Sequence, residues 1–156
     1  MCYRTGLAVS AALVFTLSCG DDPLEPPTDP LDITFAAELD IDLDRMTRSS
    51  SGLYYEDIVV GAGVQATVGT EVDVLYNGWL PNGTLFDART TPSNPFSFVL
   101  GIGQVITGWD EGVSGMREGG VRILVVPPQL GYGYASNGPI PGNSVLVFRI
   151  ELLAVD

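Results

Sequence analysis

The chain contains no histidine. That absence excludes a Ser–His–Asp or Cys–His nucleophilic site and any imidazole-ligated metal. Its only cysteines are Cys2 and Cys19, so everything after the first few turns of sequence lacks an internal disulfide, a thiolate metal site and a nucleophilic thiol. Basic residues are scarce as well: seven Lys and Arg stand against nineteen Asp and Glu, a net charge of −12. Contact with phosphate backbones needs clustered cations, so nucleic acid is excluded as a partner, and anionic lipid does not attract such a surface. There is no G-x-S-x-G and no Walker-type loop, and Gly101–Ile102–Gly103 lacks the rest of a dinucleotide fingerprint. What remains calls for no metal and no cofactor.

The N-terminus reads as an address. Arg4 precedes an apolar run from Gly6 to Leu17, and Ser18, Cys19 and Gly20 follow. The run is too short for a good membrane span and has the three-part form of a secretory signal. Residues 1–19 are therefore expected to be a signal peptide. Cys19 is the expected acceptor of a diacylglycerol thioether, as in a bacterial lipoprotein, although Thr16 stands where such signals usually carry Leu. Two or three acyl chains would hold the protein on a membrane, facing the periplasm or the outside. The alternative is a cleaved, soluble secreted protein.

Residues 20–50 read as an acidic, Pro-rich linker and a pre-domain segment. GDDPLEPPTDPLD has too little apolar surface to offset the entropy of ordering and is expected to stay extended. Asp40, Asp42 and Asp44 then alternate with Ile41 and Leu43, but a calcium loop would need a Gly and a closing Glu that are missing. An edge strand, or an extended segment docked on the domain, fits this stretch better.

Residues 51–156 show the alternation of half-buried strands. Strands are expected at 53–60, 70–77, 96–100 and 120–126, and the last runs through VLVFRIELLAV, with Leu146, Phe148, Ile150 and Leu152 facing inward. Pro81–Asn82–Gly83 marks a tight turn. Only TGWDEGVSGMREG has helical spacing, with Trp109, Val113 and Met116 on one face, Thr107 as its cap and Gly119–Gly120 as its stop. The expected fold class is α+β: a curved antiparallel β-sheet of about five strands wrapped around one short α-helix.

Aromatics recur at strand ends and in Gly-rich loops: Tyr76, Phe86, Phe96, Phe98, Trp109, Tyr132 and Phe148. Taken in order, Tyr76 in VLYNGWL, the Phe86–Asp87 pair, the V-I-T-G-W run ending at Trp109, Tyr132 in L-G-Y-G and Ile140 in P-I-P closely resemble the FKBP family of peptidyl-prolyl cis-trans isomerases. The resemblance covers most of residues 52–155. It implies that fold, and a pocket with Trp109 as its floor and Tyr76, Phe86, Phe96, Val105, Ile106 and Phe148 as its walls. Tyr132 and Ile140 would close the pocket, Phe98 would lie behind the wall, and Asp87 would be the one charged group inside. The backbone N–H of Ile106 and the Tyr132 hydroxyl would hold ligand carbonyls. The implied partners are proline-containing unfolded or partly folded proteins and a macrolide ligand. The implied activity is isomerisation of X-Pro bonds in exported proteins, and a chaperone or protein-binding module that uses the same pocket without catalysis stays open beside it. Two departures stand out. The family often has an Arg five residues after the Asp, where this chain has Pro92; whether Arg89, two residues after Asp87, substitutes for it stays open. The loop from Gly133 to Ile140 is also short.

Overall fold

The computed structural model describes residues 29–156; the leader and Cys19 lie outside them. One seven-stranded antiparallel sheet forms the body. Its strands are β1 (Thr47–Arg48), β2 (Tyr54–Val59), β3 (Glu71–Trp79), β4 (Leu85–Arg89), β5 (Phe96–Val99), β6 (Val121–Val126) and β7 (Leu146–Val155), and α1 (Thr107–Val113) is the one α-helix among the described residues. The strand order is β1-β2-β6-β7-β3-β4, and β5 pairs with β3 beyond the end of β4. Two strands exceed what alternation reveals. β1 has only two residues. β4 carries one half-buried aromatic, Phe86, among exposed neighbours, a pattern too thin to stand out as a strand.

Alternation places two apolar sets on opposite faces of the sheet. The concave face carries Val72, Val74 and Tyr76 of β3, Leu124 and Val126 of β6, and Leu146, Phe148, Ile150 and Leu152 of β7, all packed with Trp109 and Val113 of α1. The helix comes close to the sheet because it meets β6 through glycines. A Cβ on Gly108 would sit 2.6 Å from Val126, and one on Gly112 would sit 2.6 Å from Leu124. β6 reads VRILVV because it is covered on both sides. Val125 and the half-buried Ile123 face the other way, where Tyr54, Val145, Val147 and Trp79 join them under Met46 and the half-buried Ile33, Phe35, Leu39, Ile41 and Leu43. The stretch before β1 is thus a strap over the convex face. Its alternating Ile and Leu residues are buried by packing, and it contributes only β1 to the sheet.

The helix differs from its expected limits. Thr107 is its first residue rather than its cap, and Ile106 holds the cap position in an extended conformation with no side-chain hydrogen bond. It ends at Val113, well before Gly119. Gly115 takes a φ of +83°, and the backbone then turns to bond with the stretch before β3: Gly115 N–H donates to Ala66 O at 3.0 Å, and Ala66 N–H to Met116 O at 2.9 Å. Met116 stays buried, outside the helix.

Candidate active site

The concave sheet and α1 leave a cleft of about 220 Å3 between them, lined by Tyr76, Phe86, Asp87, Phe96, Gln104, Val105, Ile106, Trp109, Tyr132 and Phe148. Six of these groups arrive on five elements. Tyr76 points inward from β3, Phe86 and Asp87 come from β4, Phe96 opens β5, Phe148 lies on β7, and Trp109 sits in the first turn of α1. Trp109 is 4% exposed and forms the floor. Edge-on rings surround it, with Tyr76 at 4.9 Å, Phe148 at 5.3 Å and Phe96 at 6.0 Å between centroids, the geometry that aromatic quadrupoles favour. Its Nε1–H is buried with no hydrogen-bond partner among the described residues, so among them packing alone orients the ring. Phe98 lies behind the wall, 5.7 Å from Phe96 and 5.8 Å from Trp109.

Ile140 is buried in the same core cluster as Tyr76, Trp109 and Phe148, and its backbone exchanges hydrogen bonds with Asn137 at 2.9 and 3.0 Å. Arg89 does not take over as the partner of Asp87, since no ion pair between them exists among the described residues. In register, Arg89 lies opposite Tyr76 on β3, and it is the Tyr76 hydroxyl that holds the carboxylate, donating to Asp87 Oδ2 at 2.6 Å. The Ala88 N–H donates to Asp87 Oδ1 at 2.9 Å. Asp87 is therefore fixed at the exposed rim rather than sunk inside. Burial first, then the hydrogen bond and charge of Asp87, push the Tyr76 pKa well above its ordinary value, so this hydroxyl remains a donor.

The donors expected for ligand carbonyls are free to act. Ile106, at the helix cap, has an N–H with no acceptor among the described residues, and its own carbonyl accepts from Trp109 and Asp110. Tyr132 is 38% exposed at the mouth. Three residues that alternation did not single out complete the site. Gln104 lines the cleft, and its Oε1 accepts the Val99 N–H at 2.8 Å. Asp110 accepts from the Gly101 and Gly103 N–H groups at 2.7 and 3.0 Å, which holds the loop leading to Val105 and Ile106. Gly78 leaves room for the wall: a Cβ there would meet Phe86 at 2.8 Å and Phe148 at 2.9 Å, the pair whose rings close edge-to-face at 5.6 Å. A glycine inside a nine-residue strand was the available signal of such a close approach.

An apolar, ring-lined cleft with a Trp floor, a few convergent donors and one rim carboxylate matches the family resemblance, and comparison with known proteins decides it. The family described as FKBP-type peptidyl-prolyl cis-trans isomerase matches residues 63–153. The chain belongs to the FKBP-type peptidyl-prolyl cis-trans isomerase family. Its activity class is accordingly the rotation of peptidyl-prolyl bonds. The chain is 49% identical over 105 residues to the "FK506-binding protein" of Neisseria meningitidis serogroup B, which covers 67% of this chain and 96% of that one. It is 46% identical over 94 residues to "FK506-binding protein 2" of Dictyostelium discoideum, covering 60% and 71% of the two chains. Among solved structures it is similar to FkpA from Escherichia coli (42% identity, TM-score 0.66, 72% of this chain and 52% of that one). It is also similar to AtFKBP13 (38% identity, TM-score 0.66, 71% and 98%). The family match starts after β2, so the strap and β1 lie outside it.

Proposed function

We propose that this chain isomerises X-Pro bonds in exported proline-containing proteins, in the cleft above Trp109, while anchored to a membrane through lipid on Cys19. The observation that carries the proposal is the cleft itself: a Trp floor walled by rings, with its one carboxylate tied up at the rim by Tyr76. Twisting an X-Pro bond breaks amide resonance against a barrier of about 18–20 kcal/mol. The twisted carbonyl loses conjugation and becomes less polar, so an apolar cleft favours it over the planar amide that water prefers. A thousandfold acceleration needs only about 4 kcal/mol of such preference, and no proton or nucleophile is involved. In this reading the proline ring rests on Trp109, and the Ile106 N–H and the Tyr132 hydroxyl hold the flanking carbonyls.

A protease-coupled isomerisation assay on a Leu-Pro tetrapeptide tests the reading. The full chain is expected to accelerate the slow phase, a macrolide of the FK506 class to abolish it, and Trp109→Leu to lose rate and macrolide affinity together. Macrolide binding without acceleration would mark a non-catalytic binding module. Mass spectrometry of the N-terminal peptide tests the anchor: an acylated Cys19 supports it, whereas a chain cleaved elsewhere with Cys19 removed makes the protein a soluble secreted one. No helix among the described residues is long and apolar enough to cross a membrane.

A further inference from the structure

The chain has no lysine, and its seven cationic side chains are all arginine. Among the described residues, Arg45 pairs with Asp40 and Asp42, Arg48 with Asp29, Arg122 with Asp57 and Arg149 with Glu151. Arg117 donates to the Gly63 carbonyl at 3.2 Å. Arg89 alone has neither an ion pair nor a side-chain hydrogen bond among them. In a chain with nineteen Asp and Glu, that reflects where Arg89 stands and not a shortage of partners.

The register of β3 with β4 fixes that place. Tyr76 lies directly opposite Arg89, and Gly78 directly opposite Asp87. Directly opposed residues of an antiparallel pair project from the same face, so Arg89 and Asp87 stand with Tyr76 on the concave face. Arg89 is roughly 7 Å further along the strand than Asp87, which lines the cleft. β4 ends the sheet on this side, and Arg89 is exposed. Its charge is felt inside the cleft: burial, then Asp87, raise the pKa of the Tyr76 hydroxyl, and Arg89 opposes them. Asp87 does not consume that charge, because both of its oxygens are engaged, Oδ2 by the Tyr76 hydroxyl at 2.6 Å and Oδ1 by the Ala88 N–H at 2.9 Å. A guanidinium with its donors uncommitted is thus left at the rim of an otherwise apolar cleft.

We infer that Arg89 is a specificity-determining residue, which pairs with the carboxylate side chain of an Asp or Glu close to the proline held on Trp109. The proposal rests on the isomerase reading and names a class of client for that same cleft. A guanidinium can meet a carboxylate with two parallel N–H···O bonds, and an open rim leaves room for that approach. Elsewhere the net charge of −12 repels acidic clients. Arg89 gives them one local site, so the preference belongs to one position in the client and not to acidic peptides in general. Exposure limits its size: a solvent-exposed pair is expected to contribute about threefold in kcat/KM.

Two pairs of Leu-Pro tetrapeptides test this on the full chain at fixed salt, one pair with Glu or Gln before the Leu and one with Glu or Gln after the Pro. A protease-free isomerisation assay is used, so that no second enzyme reads the charge. The expected result is a kcat/KM about threefold higher for Glu than for Gln in one pair only, arising in KM. Arg89→Gln should bring that ratio to one or below, whatever it does to the rate on the Gln peptide. Arg89→Lys should keep part of it. Arg89→Glu should invert it and favour Lys at the same position, whereas a merely structural arginine would alter both members of a pair alike. A wild-type ratio of one or less in both pairs, or a preference that survives Arg89→Gln and Arg89→Glu, would overturn the proposal. So would an equal Glu preference in both pairs, since a single rim residue serves one side. If neither Gln peptide is turned over, the isomerase reading fails by itself. Fluorescence anisotropy of labelled Glu and Gln peptides, with wild type and with Arg89→Gln, then still decides whether Arg89 selects the carboxylate.

Discussion

Tyr76 links the floor of the cleft to its rim: its ring packs on Trp109 and its hydroxyl holds Asp87. Burial, then the bond to Asp87, raise its pKa above the ordinary 10.0, so the fold favours the protonated phenol. The sign follows from linkage: this contribution to stability is complete below pH 10 and is lost as pH rises above it toward the folded-state value. Urea unfolding between neutral pH and pH 11 should therefore show wild type losing stability more steeply above pH 10 than Tyr76→Phe. Parallel curves would mean that the phenol is not held in this way. Arg122 shows a different residue-scale device. It is buried on the helix side of β6, bidentate to Asp57 at 2.7 and 2.9 Å, bonded to the Gly112 carbonyl at 2.8 Å and stacked 4.7 Å from the Tyr55 ring. Three partners compensate for taking one guanidinium out of water, and they tie α1 to β2 and β6.

At the scale of elements, α1 and the strap depend on opposite uses of size. The helix needs small residues: Gly112 costs helix propensity, about 1 kcal/mol relative to Ala, yet its missing Cβ is the space that the fully buried Leu124 occupies. Gly112→Ala should thus lower the melting temperature despite the better propensity, because overpacking costs about 1–3 kcal/mol; a raised melting temperature would show that Leu124 can yield. The strap needs large residues. Phe35→Ala uncovers part of the convex face, and a half-buried Phe should cost about 2 kcal/mol in denaturant unfolding, roughly half the value for a fully buried ring. The kcat/KM for the bare tetrapeptide should be unchanged below the melting transition, since no strap residue lines the isomerase cleft.

At the scale of the whole molecule, the net charge of −12 is a long-range field that a neutral cleft does not cancel. It should steer cationic clients and repel anionic ones over about one Debye length, roughly 10 Å at 0.1 M salt. Tetrapeptides extended by Lys should show a kcat/KM that falls as salt rises, and the same peptides extended by Glu a kcat/KM that rises; salt-independent rates for both would rule out steering.

Composition and order alone determined that this domain has no imidazole or thiol to work with and that it is a curled antiparallel sheet around one helix, while the resemblance of its spaced motifs to the FKBP family implied which rings gather at Trp109. Those features are local or positional: strand period, turn residues and spaced motifs survive in a linear string. Only the tertiary structure decided that Tyr76 rather than Arg89 holds Asp87, that Gly78, Gln104 and Asp110 complete the site, and that residues 33–46 lie across the convex face. Each of these is a contact between segments far apart in the chain or across a strand register, and its energy exists only once folding has brought the partners together.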